Sequence, residues 1–182
     1  MPAPIRTSRE AWIDAGLTAL ADGGPEAVRV DVLAQTLDVS RGGFYHQFDS
    51  RSAFLEEVLD TWERRSTEEV LERVEREGGD ARTKMGKAGV LTFSEVLLPV
   101  DLAVRDWSRR DAAVADRLRR VDNSRMDYLR AQIATFCDDS DDVEALALLA
   151  FSVAIGNHLV AADHAGRSRA AVLRRAAEML FD

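Results

Sequence analysis

Between Val30 and Phe48 two short apolar patterns at helical spacing meet across a tight turn. No other stretch limits the fold of the chain as much. Leu33, Ala34 and Leu37 make the inner face of a first helix, and Val39, Phe44 and Phe48 that of a second. Ala34 is small enough to let the two helices cross closely. Asp38 stands where the chain must reverse, and aspartate tolerates the left-handed conformation better than most residues. Ser40 is placed to cap the second helix.

The solvent side of that second helix then carries Arg41, Gly42, Gly43, Tyr45 and His46. This set suits a nucleic-acid groove. An arginine can grip guanine through two hydrogen bonds, and paired glycines bare the backbone for close approach. The Tyr45 hydroxyl and the helix N-terminus both suit phosphate, and Arg51, at the start of the following helix, can clamp the strand.

The rest of the chain also reads as helix. Ser8 to Asp22 places Trp12, Ile13, Gly16, Leu17 and Leu20 on one side before Gly23-Gly24-Pro25 stops it. Ser50 caps a long helix over 52–77 bearing Phe54, Val58, Trp62, Val70 and Val74, closed by Gly78-Gly79. Ala81 to Gly89 is ambiguous between a loop and a short helix. Leu91 to Trp107 is a helical pattern in which Pro99 predicts a kink. Asp111 to Phe136, Val143 to Ala162 and Ser168 to Phe181 complete the set, and no segment alternates as a strand. The acidic run Asp138 to Asp142 lacks the regular ligand pattern of a calcium loop and reads as a helix cap. The expected class is all-α: a three-helix helix-turn-helix unit in 1–51, then a helical bundle in 52–182.

In the run from Leu33 to Arg51 the chain resembles the TetR family of bacterial transcriptional regulators. It agrees with the family pattern at Ala34, Val39, Ser40, Gly42, Tyr45 and Phe48, with conservative changes at Leu33, Phe44 and Arg51. It departs at Asp38, where a turn glycine is usual, at Gly43 and at Gln47. Arg29 falls where the family often has a threonine that holds a phosphate, which an arginine can still reach. The resemblance implies a DNA-binding domain in 1–51 and a ligand-binding and dimerisation domain in 52–182, together a homodimeric repressor on a palindromic operator in double-stranded DNA, released by a small-molecule effector, with no cofactor and no metal. The segments Val104 to Ala115 and Val121 to Met126 are more loosely similar to family members.

Charge runs against simple attraction to DNA. The net charge is −8, and residues 1–51 hold five arginines against seven acids. Binding must come from where the few cations sit. The alternative is a TetR-like adaptor that works by protein contact without DNA. An enzyme is not expected: the three histidines and the single Cys137 form no metal-ligand spacing, and no phosphate-binding loop or nucleophile elbow occurs. The lone cysteine and the absence of an apolar leader point to the cytoplasm.

Beyond residue 52, large apolar side chains at helical spacing are candidate pocket residues: Trp62, Phe93, Leu97, Trp107, Met126 and Phe136. Asn157 and His158, on an otherwise apolar helix, are the polar ligand-binding candidates, with a satisfied polar pair at the dimer contact as the plainer reading. Residues 145–162 contain no charged side chain, yet Ser152, Asn157 and His158 interrupt them, so a subunit contact explains them better than a membrane. The expected dimer contacts are Leu146, Ala147, Ala150, Val153, Ala154 and Val160, with Leu173 on the last helix.

Overall fold

The computed structural model describes residues 7–181, and among them every regular element is an α-helix. In chain order these are α1 (Arg9–Gly23), α2 (Val30–Thr36), α3 (Arg41–Tyr45), α4 (Arg51–Ser66) and α5 (Glu68–Glu77). Then come α6 (Ala81–Thr92), α7 (Leu98–Ser108), α8 (Ala112–Ile133), α9 (Ser140–Leu159) and α10 (Arg169–Phe181). The chain divides into two compact units. The first runs to Glu68 and includes Glu95–Val121; the second joins Glu69–Ser94 to the chain from Asp122 onward.

Local chemistry sets the ends of the first helices. The Ser8 hydroxyl accepts the Ala11 N–H at 3.1 Å and opens α1. Gly24, at φ 71°, closes it by donating its N–H to the Leu20 carbonyl. Between α2 and α3 Asp38 adopts φ 53°, as the sequence suggests, and Val39 N–H returns to the Ala34 carbonyl at 2.9 Å. Ser50 caps α4 through the Ala53 N–H.

The core of the first unit is a cluster of rings. Phe44 meets Trp12 at 5.5 Å and Phe54 at 5.2 Å between centroids, both edge to face, and Phe48 meets Phe54 at 4.7 Å. Leu20, Val28, Leu33, Val58 and Leu59 fill in around them. Helix α1 packs chiefly on α7 and α4. Gly16 marks the tightest approach: a Cβ there would lie 2.7 Å from Phe54 Cζ and 2.8 Å from Val58 Cγ2. Both neighbours are buried and cannot swing away. Gly16→Ala is therefore expected to lose about 1–3 kcal/mol of stability despite its better helix propensity. Urea unfolding checks this, and a stabilised variant would refute the close fit.

The second unit is built on Met85, Met126, Ile133 and Ala147, with Leu129, Val143, Leu146, Phe151 and Phe181 against them. Asp80 caps α6 through the Thr83 N–H at 2.8 Å, so the ambiguous segment is helical. Asp139 accepts from the N–H groups of Asp141 and Asp142, so the acidic run caps α9.

Two expectations are corrected. The helix expected over 52–77 is broken at Thr67, whose φ and ψ are −125° and −80°. Its hydroxyl donates to the Glu63 carbonyl at 2.7 Å, and a serine-threonine pair of this kind competes for backbone groups at a helix end. Pro99 kinks nothing. It lies in the first turn of α7, where its missing N–H has no intrahelical partner to lose.

Candidate nucleic-acid interface

Helix α3 has only five residues, two of them glycine, and cannot hold itself together by propensity. Phe44 and Phe48 anchor it, and their burial turns the opposite side outward. That side carries Arg41, Gly42, Tyr45 and His46, all exposed, with Tyr45 at 61%. Gly43 is half-buried. A Cβ at Gly42 would find only Ser40 Oγ at 3.6 Å, and one at Gly43 only Trp12 Cζ2 at 3.8 Å. These are ordinary contacts, so the fold does not itself demand glycine there. Gly42 gives a bare backbone on the outer face, whereas Gly43, expected on the solvent side, faces Trp12 instead.

Ser40 occupies the cap position with extended backbone, yet its side chain makes no capping hydrogen bond. The other two candidate arginines are held by the chain itself. Arg29 pairs with Asp31 at 2.9 Å. Arg51 donates through Nε to the Val28 carbonyl at 2.7 Å and through Nη2 to that of Pro25. Arg51 thus ties the loop before α2 to the start of α4, with Nη1 left over.

One residue escaped the sequence reading. Arg9 lies over the Phe48 ring at 4.3 Å, donates to Glu57 Oε2 at 2.9 Å and reaches the Gln47 carbonyl. It fastens the end of α3 to α1 and α4. Its partners lie some 40 to 50 residues away in sequence, so no local pattern marks it.

The pocket candidates fall into two groups. Trp62 and Leu97 line a pocket of about 510 Å³ in the first unit, and Trp107 is packed against that unit's core. Phe93, Met126, Phe136, Asn157 and His158 belong to the second unit. There Phe93 lies 5.3 Å from the His158 ring and 5.8 Å from the Arg125 guanidinium. Phe136 packs on Phe181 and under Arg82, and Met126 is core. Asn157 Oδ1 is buried without a hydrogen-bond partner, while its carbonyl accepts Arg169 Nη1 at 2.6 Å.

Of the expected dimer residues, Leu146, Ala150, Val153, Ala154 and Leu173 are half-buried and Val160 is exposed. Ala147 is wholly buried within its own unit, so its side chain cannot reach a second subunit. The apolar line that α9 leaves open runs instead through Ala145, Leu148, Leu149, Ser152 and Leu159. By length and composition alone α9 could cross a membrane.

Residues 13–58 match the family model described as bacterial regulatory proteins, tetR family. A TetR transcriptional regulator from Legionella pneumophila has a similar structure, with TM-score 0.76 and 14% identity over 99% of this chain and 100% of that one. A structure of a Rhodococcus protein described as a TetR-family transcriptional regulator gives 0.65 and 23% identity over 96% and 98%. The structure of AibR with isovaleryl coenzyme A and operator DNA gives 0.67 and 13% identity over 94% and 97%. No curated protein sequence matches significantly. The N-terminal domain is of the TetR family, and the chain has the fold of these regulators.

Proposed function

We propose that this chain is a cytoplasmic transcriptional repressor of the TetR family. In this reading a homodimer binds a palindromic operator through residues 1–51 and is released when a small molecule binds within 52–182. The observation that carries the reading is the outer face of α3. Arg41, Tyr45 and His46 project from a helix whose every large apolar side chain is buried. Twofold symmetry would set two such faces one turn of DNA apart, or a multiple of it. An effector would act by favouring a spacing of the two heads that no longer matches the half-sites. The similar AibR structure holds both operator DNA and an acyl coenzyme A, which supports a reader of this general kind.

A second copy suits the apolar face of α9 better than lipid does. The helix carries Ser152, Asn157 and His158, and its inner side, through Ala147, is already packed into the core of its own unit and against α10. The adaptor reading draws on the acid excess in residues 1–51.

Selection of genomic DNA fragments by the purified chain at moderate salt separates the two. One palindrome should be enriched. Tyr45→Phe removes only the hydroxyl and should weaken binding by about tenfold, with the circular dichroism unchanged. No enrichment at any salt would sink the repressor reading and put the adaptor first.

A further inference from the structure

The pocket of the first unit lies among α1, the end of α4 and the residues that lead into α7. Its volume, about 510 Å³, is in the range of small-molecule sites. Leu17, Ala21, Trp62, Leu97 and Val100 make an apolar floor. The rim is acidic: Asp14, Asp22 and Glu95 against the single Arg65. Arg65 is already engaged, 2.7 Å from Asp14 and 3.8 Å from Glu10. Asp22 and Glu95 make no ion pair among the described residues.

Two further observations point to an occupant. Asp22 stands in the last turn of α1, where the helix carbonyls already present partial negative charge and no basic residue offsets it. A carboxylate there is disfavoured by the helix and favoured by a bound cation. Trp62, which lines the same pocket, is 1% exposed, and its indole N–H is buried without a hydrogen-bond partner, which is rare in a folded protein.

We propose that this pocket binds a small organic cation with an apolar body, its charge at Asp22 and Glu95 and its body on the Leu17–Trp62–Val100 floor. Occupancy would reach the reading helix directly. Trp12 on α1 and Phe54 on α4 are the rings that hold Phe44 of α3, so wedging α1 moves the seat of α3. This last step rests on the repressor reading; binding itself does not.

The test titrates the full chain, without DNA, with phenoxybutylammonium, phenoxybutanol and phenoxybutanoate, following tryptophan fluorescence and heat. The ammonium should bind about tenfold tighter than the alcohol, and the carboxylate weakest. Asp22→Asn with Glu95→Gln should bring ammonium and alcohol level, and Ala21→Leu should remove both by filling the floor. Equal binding of ammonium and alcohol by the native chain overturns the proposal. So does a preference that survives in the double variant, or no saturable binding of any probe. The ammonium is then added to the operator complex. Unchanged operator affinity despite selective binding overturns the coupling, whereas absence of any DNA binding tells against the repressor reading and leaves the titration to be judged alone.

Discussion

Phe44→Ala is expected to unfold the N-terminal head, losing about 3–5 kcal/mol, a large part of the stability of a domain this size. The reason is the company the ring keeps. Phe44 is 0% exposed and lies within 5.5 Å, centroid to centroid, of Trp12, Phe48 and Phe54. Deleting it opens a cavity at the centre of the cluster, walled by three other aromatic side chains that cannot collapse inward together. Helix α3 has little of its own to keep it, with five residues, two glycines and no side-chain cap, and beyond this ring only Phe48 and Arg9 hold its far end. Thermal unfolding followed by circular dichroism, with operator binding alongside, provides the measurement. Phe44→Leu, which restores most of the volume, should recover the fold and a good part of the binding. An alanine variant that melts like the native chain would mean that α3 is held by something other than this ring.

The same ring explains why so much of the reading face could be read from the chain. Once Phe44 and Phe48 point inward, helical geometry sends Arg41, Tyr45 and His46 outward, and no distant residue is needed to decide it. Arg51 and Arg29 could not be placed that way. A guanidinium on a long stem goes where acceptors are, and for Arg51 these are the carbonyls of Pro25 and Val28, which only the folded loop brings near. Arg9 was invisible for the same reason, since Glu57 and the Gln47 carbonyl meet it only in three dimensions. Helix ends followed a similar rule. Glycines and serines at 8, 23–24, 50 and 78–79 act locally and were legible. The break at Thr67 has no proline or glycine and depends on a threonine turning its hydroxyl back to Glu63. At Pro99 the apolar pattern continues on both sides, which masks in the sequence that a new helix starts there.

If the chain pairs through α9 as proposed, Leu148→Glu combined with Leu149→Glu is expected to leave it monomeric and to weaken operator binding by at least about a hundredfold. On the isolated chain these leucines are 56% and 49% exposed, side by side on a largely apolar line that continues to Leu159. In a twofold contact every substitution acts twice. Burying the four leucines would contribute roughly 1–2 kcal/mol each, and four glutamates facing one another add repulsion that no nearby cation on α9 relieves. The fold of each subunit should survive, because the core of the second unit rests on Ala147, Met85, Met126 and Ile133 and not on the exposed side of α9. Sedimentation velocity reads the mass, and circular dichroism with thermal melting confirms that the monomer is folded. The DNA result follows from the arithmetic of two sites. A dimer binds its second half-site at the high effective concentration set by the first, and a monomer with few cations on its reading face must bind each half-site alone. A doubly substituted chain that still sediments as a dimer would remove α9 from the interface. If instead it is monomeric and yet holds the operator with undiminished affinity, pairing is not what makes this protein a DNA reader.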